Sequence, residues 1–268
     1  MKLSEPAQNC AFDGTAYRSR GAGETIVLIH GVGMDQRSWQ PQIEALSQGH
    51  RVLTYDMLGH GESRLPAEGV QLADFADQLL RLLDHLQIDQ VIVVGHSMGA
   101  LVAIEFALRH PGRCTRLLAL NAVFQRCAAQ RAAVLERART LQSAGVAATV
   151  DATIARWFGA PVPAHLRAIA QLTTAILADV NALGYARAYA LFATSDAVHA
   201  AELPRLAMPA LFMTGEGDPN SSPAMSQAMA ALAPQGRAEI VPGARHMMNL
   251  TDAAEVNARL LRFIAAAA

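Results

Sequence analysis

Cysteine is scarce in this chain of 268 residues: Cys10, Cys114 and Cys127 are odd in number and far apart. A disulfide scaffold is not expected, and the usage fits a reducing compartment, so the expected location is cytoplasmic. No run approaches the roughly 20 apolar residues of a membrane span. The N-terminus, MKLSEPAQNCAFDG, carries acids, a proline and polar residues where a signal peptide needs an unbroken apolar stretch. Neither sign of charge dominates, since 22 basic and 23 acidic residues leave a formal net charge of -1. That balance gives no reason to expect nucleic acid or an anionic membrane as a partner. Cys and His nowhere cluster at metal-ligand spacing, so no metal is expected.

What is present is apolar and ordered in its punctuation. Hydrophobic residues make up 52% and charged ones 17%, a composition that supports a buried core, and the length suits one large α/β domain. Short apolar runs alternate with helical patterns, as in a βαβ succession. Strands are expected at Thr25 to Ile29, Arg51 to Tyr55, Val91 to Val94, Leu117 to Leu120, Ala210 to Thr214 and Ala238 to Val241. Between Leu72 and Leu86, Leu72, Phe75, Leu79, Leu82, Leu83 and Leu86 keep a helical period, and a second helix runs from Ala100 to Leu108. A last helix is expected to open at Asp252, with Glu255 completing a capping pattern, and to fray at the alanines 265 to 268. From about Gln125 to Ala200 strand signals stop, and helices broken at Gly145, Gly159 to Pro161 and Gly184 are expected. The expected organisation is an α/β core, residues 1–124 and 201–268, with a helical lid over 125–200.

Gly95-His96-Ser97-Met98-Gly99 is a G-x-S-x-G pattern. Alone it is weak, arising by chance in roughly one chain in ten of this length. Here it follows a strand and opens a helix, where a nucleophile elbow must lie, with small residues at Gly95, Gly99 and Ala100 to let neighbouring segments approach. A serine hydroxyl needs a base, and the base needs an acid to orient it. After a strand–elbow–helix serine the chain order is acid, then histidine. Of the four histidines beyond Ser97, only His246 follows the last strand; His110 ends a helix, and His165 and His199 fall in the lid. The acid is expected in Gly215-Glu216-Gly217-Asp218-Pro219, at Asp218, with Glu216 as the fallback. Oxyanion donors are expected from the Met98 N–H and from the loop His30 to Gly33, where the Val32 N–H is best placed. That loop has Gln36 where a dinucleotide fingerprint wants its third glycine, so no cofactor is expected.

Together HGVGMDQRSW, YDMLGHGES, VVGHSMGALVAIEFALRHP, TGEGDP and GARHMMNL resemble the α/β-hydrolase superfamily over essentially the whole chain. Within that superfamily the chain resembles the 3-oxoadipate enol-lactonases and small esterases, through Trp39, Pro41-Gln42, Trp157-Phe158, Gly184-Tyr185-Ala186, His246 and Asn249. The resemblance implies a mostly parallel sheet flanked by helices, a Ser97, Asp218, His246 triad, and a small-molecule ester or lactone as substrate, with Trp157 and Phe158 near it. The turn from Asp56 to Ser63 is read as structural. C–C or amide cleavage on the same triad is the alternative, and a ligand-binding protein without turnover is a third reading. The lid carries seven arginines (126, 131, 137, 139, 156, 167, 187) against four acids (136, 151, 179, 196), a surplus of seven minus four, or +3. Arginine forks suit carboxylates, and Arg131, three and four residues before Val134 and Leu135, is expected to turn inward onto an acidic substrate.

Overall fold

Apolar runs with no polar alternation fold here into strands covered on both faces. A computed structural model describes residues 9–11 and 13–266, so most of the N-terminal stretch and the final two alanines of the fraying run lie outside the described residues. Eight strands form one sheet: β1 (Asn9–Cys10), β2 (Ala16–Arg20), β3 (Thr25–Ile29), β4 (Arg51–Tyr55), β5 (Val91–His96), β6 (Cys114–Leu120), β7 (Ala210–Gly215) and β8 (Gly236–Val241). Their order is β1-β2-β4-β3-β5-β6-β7-β8, parallel throughout except where β2 runs against β1 and β4. Period-two alternation splits each central run between two cores. Val27, Ile29, Val91, Val93, Leu117 and Ala119 face one side, and Ile26, Leu28, Ile92, Val94, Leu118 and Leu120 the other.

Ten α-helices complete the described chain: α1 (Gln40–Leu46), α2 (Leu72–His85), α3 (Met98–Arg109), α4 (Ala128–Ala144), α5 (Ala147–Phe158), α6 (Arg167–Asp179), α7 (Ala182–Thr194), α8 (Pro223–Leu232), α9 (Met248–Thr251) and α10 (Ala253–Ala265). The stripe Leu72, Phe75, Leu79, Leu82 and Leu83 of α2 is buried in the first core. Val256, Leu260, Phe263 and Ile264 of α10 enter the second, beside Trp39, Ile43 and Leu46. Each such side chain removed from water stabilises the fold by roughly 1.5–3 kcal/mol.

Three local expectations need correction. Strand β2 (AYRSR) has no apolar run, because as a flanking strand it is only partly buried, and it is missed from sequence. Asp252 does precede α10, but its side chain accepts from the Thr251 hydroxyl and caps nothing. Gly184 lies inside α7 and does not break a helix; the break is at Asn181, whose side chain accepts the Gly184 N–H at 3.0 Å. The glycine serves a close approach instead, since a Cβ on Gly184 would fall 2.2 Å from the Gly59 carbonyl oxygen.

Helices α4 to α7 form an insert between the neighbouring strands β6 and β7. Its two ends meet, with the Gln125 N–H donating to the Asp196 carbonyl and the Arg126 N–H to the Asp196 carboxylate, each at 2.7 Å. Among the described residues no helix is long and apolar enough to cross a membrane.

Candidate active site

Strand β5 delivers the chain to a turn that only small neighbours permit. Ser97 has φ 56 and ψ -115, a sparsely populated backbone region for a non-glycine residue. A Cβ on Gly95 would lie 2.0 Å from the Gly99 carbonyl oxygen, and one on Gly99 2.2 Å from that of Ile29. The elbow therefore holds the Ser97 hydroxyl at the carboxyl edge of the sheet, where α3 begins.

The loops after β7 and β8 bring Asp218 and His246 to it. His246 Nδ1 lies 2.8 Å from Asp218 Oδ2, and its Nε2 lies 3.2 Å from Ser97 Oγ. With Asp218 ionised, Nδ1–H donates to the carboxylate and Nε2 is left to accept the serine proton. All three side chains are buried. Burial acts to raise the Asp218 pKa, but the facing His246 charge and hydrogen bonds from His246, Ser221 and Asn220 outweigh it and hold it down at about 2. Asn121, following β6, donates to the same carboxylate oxygen at 2.8 Å, and so does the Ser221 hydroxyl. Glu216 is exposed and accepts the Gly243 N–H instead.

His96 holds His246 from behind. Its Nε2–H donates to the His246 carbonyl at 2.8 Å, with the ring centroids 5.1 Å apart. Burial first, then the neighbouring His246 charge, lowers the His96 pKa to about 3, so the ring stays neutral. Trp157 stacks on the outer side of His246 at 5.7 Å.

Among the described residues the backbone N–H groups of Val32 and Met98 have no acceptor. Met98 is the first residue of α3, where the helix dipole favours negative charge. The loop bearing Val32 is clasped by two buried histidines that sequence reasoning passed over. His30 donates from Nδ1 to the Gly31 carbonyl (2.8 Å) and accepts the Met57 N–H at Nε2 (2.9 Å). His60 donates from Nδ1 to the Leu58 carbonyl (3.1 Å) and accepts the Gly33 N–H at Nε2 (3.0 Å). Each loop thus holds the other through a neutral imidazole, and the rings meet edge to face at 5.1 Å. Burial, with the adjacent His30 adding to it, lowers the His60 pKa to about 3. The turn from Asp56 to Ser63 therefore shapes the loop His30 to Gly33; its Asp56 and His60 are buried, which periodicity does not reveal.

Ser97 and His246 open into a cavity of 100 Å³ whose walls include Val32, Arg126, Arg137, Arg156, Trp157 and Tyr189. Trp157 stands in the cavity wall. Phe158 does not: it is buried in the first core and does not line the cavity. Arg131 also departs from expectation, because it is half exposed and pairs with Asp196 at 3.4 Å. The face of α4 on the cavity is Gln130, Ala133 and Arg137, at spacings of three and four, and Arg131 stands about 100° round the helix from Gln130. A larger cavity of 340 Å³ beside Asp35, Arg37 and Asp179 contains no serine, cysteine or histidine to act as nucleophile or base. Among the described residues no group of three His, Cys, Asp or Glu is arranged to hold a metal.

A family model for the alpha/beta hydrolase fold matches residues 24–253. The chain is 38% identical over 242 residues to the (E)-2-((N-methylformamido)methylene)succinate hydrolase of Acinetobacter baylyi, with 90% of each chain covered. It is 32% identical over 194 residues to 3-oxoadipate enol-lactonase 1 of the same organism, covering 72% of this chain and 71% of that one. The crystal structure of the enol-lactonase from Burkholderia xenovorans superposes with a TM-score of 0.85 at 28% identity, covering 95% of this chain and 98% of that one.

Proposed function

This chain belongs to the α/β-hydrolase fold family, and from that premise we propose that it cleaves a small carboxylic ester or lactone through an acyl-serine formed on Ser97. The observation that carries the reading is the hydrogen-bonded line Asp218, His246, Ser97, at 2.8 and 3.2 Å. Ser97 Oγ attacks the carbonyl carbon while its proton passes to His246 Nε2. The oxygen of the tetrahedral intermediate lies against the Val32 and Met98 N–H groups, and Asp218 stabilises the imidazolium. Collapse breaks the C–O bond, and the leaving oxygen takes the proton from His246; in a lactone it stays tethered to the acyl group. Water then attacks the acyl-serine, giving one proton to His246, which returns it to Ser97 Oγ as the acid is released. Residues 125–200 act as the lid that shapes the pocket and excludes bulk water.

A second reading is favoured by the 38% identical relative, whose name describes an N-methylformamido substrate. On the same residues His246 would protonate a leaving nitrogen, and matched ester and amide substrates separate the two. Ser97→Ala should lower kcat by several orders of magnitude, as loss of a triad nucleophile does. A fluorophosphonate should label wild type at one serine and leave that variant unlabelled. A variant retaining a tenth of wild-type activity on the best substrate would remove Ser97 from the reaction.

A further inference from the structure

The Ser97 cavity is lined by three guanidiniums and by no carboxylate. One of the three is already matched: Arg126 pairs with buried Asp196 at 3.3 Å and lies over the Phe192 ring. The other two are not. Among the described residues neither Arg137, on α4, nor Arg156, on α5, forms an ion pair. Arg137 Nε donates to the Tyr189 hydroxyl oxygen at 3.1 Å. Arg156 Nη2 donates to Thr153 Oγ1 at 3.3 Å, and its Nε is buried with no partner. Burial, with the like charge of Arg137 adding to it, pushes the Arg156 pKa below its ordinary value.

Two cations brought together, partly desolvated and without a counter-ion, are costly to the empty protein. An anion held between them relieves both the repulsion and the missing hydrogen bonds. The space for it exists on either side. The same pair also lines a second cavity of 160 Å³ between α4 and α5, with Leu141, Ala152 and Tyr185, so protein does not seal the guanidiniums off. A planar guanidinium fork matches the two oxygens of a carboxylate bidentately.

We propose that Arg137 and Arg156 form a carboxylate subsite, so that the substrate is an acid whose carboxylate lies between these forks while its scissile carbonyl lies against Ser97. The proposal rests on the acyl-serine reading for its reaction, and it has a binding test that does not need turnover. In turnover, 4-nitrophenyl hemiglutarate is compared with its neutral methyl ester. Wild type should favour the acid by about tenfold or more in kcat/KM, the size expected of charge-assisted hydrogen bonds. That acid-to-neutral ratio should collapse towards one in Arg137→Gln and Arg156→Gln, and should shrink in wild type as ionic strength rises. Arg156→Lys, which keeps charge but loses the fork, should fall between. In binding, monomethyl glutarate should be held by Ser97→Ala protein and released at least tenfold more readily once either arginine is also changed to Gln. Turnover of both esters at equal efficiency, or a neutral preference, overturns the subsite and leaves the hydrolase reading standing. Arginine-dependent binding of monomethyl glutarate without turnover of any ester, and without labelling of Ser97, keeps the subsite and sinks the hydrolase reading. Should the double variants not fold, a salt-independent ratio in wild type is enough to reject the subsite.

Discussion

Asp218 accepts from His246, Asn121 and Ser221, and the carboxylate is kept ionised by what surrounds it. Asp218→Asn should keep the fold but present the wrong tautomer of His246 to Ser97, lowering kcat by about 10⁴, the scale seen when the orienting acid of a triad becomes an amide. Burst kinetics with a chromogenic ester would show the loss in acylation. The pH profile offers a second check at this scale. His96 and His60, both held near 3, and His30, lowered by burial, are donors and acceptors locked in neutral forms. Asp218 at about 2 stays ionised through the working range. None of these groups should therefore contribute to the acid limb of kcat/KM above about pH 4, and that limb should fit a single proton. A limb of slope two would mean that a second site histidine titrates with it.

At the scale of elements, the clasp between the loop His30 to Gly33 and the turn after β4 makes a separable prediction. His60→Phe keeps an aromatic ring but loses both the acceptor for the Gly33 N–H and the donor to the Leu58 carbonyl, so kcat should fall about tenfold to a hundredfold with KM little changed. His60→Gln, which offers an oxygen acceptor, should recover part of the loss. Equal loss in both variants, with KM rising alongside, would indicate general loosening of the packing. The clasp also marks where sequence reasoning stops. Strands β3 to β7 were legible because apolar runs end at turns, and the elbow because Gly95 and Gly99 flank a serine between strand and helix. Asn121 and His60 were not legible, since a polar residue buried by long-range partners has no periodic signature. Arg137 was visible only as one of seven arginines: helical spacing can say which residues share a face, but not which face meets the cavity.

Across the whole molecule, the same buried histidines tie stability to acidity. Their folded pKa values lie below the ordinary 6.5, so the unfolded chain binds more protons as pH falls. Their contribution is complete above about pH 6.5 and is lost progressively towards pH 3, with Asp218 adding a further loss below about pH 4. Tm should accordingly decline from neutral pH to pH 4, and a flat Tm across that window would mean that these imidazoles are not held neutral. The junction at Asp196 has a different bearing. The insert enters and leaves beside that residue, which touches Gln125 and Arg126, so its two ends are tied together where β6 and β7 lie side by side. On the proposed function, substrate preference belongs to the insert and acyl transfer to the loops at the sheet edge, with the Trp157 ring on His246 as a contact between the two. Replacing the residues between Gln125 and Asp196 by the corresponding helices of a relative should transfer that relative's preference for acid or neutral esters while the acid limb of the rate profile stays where it was. A chimera whose acid limb moved as well would show that the insert tunes the base beneath it.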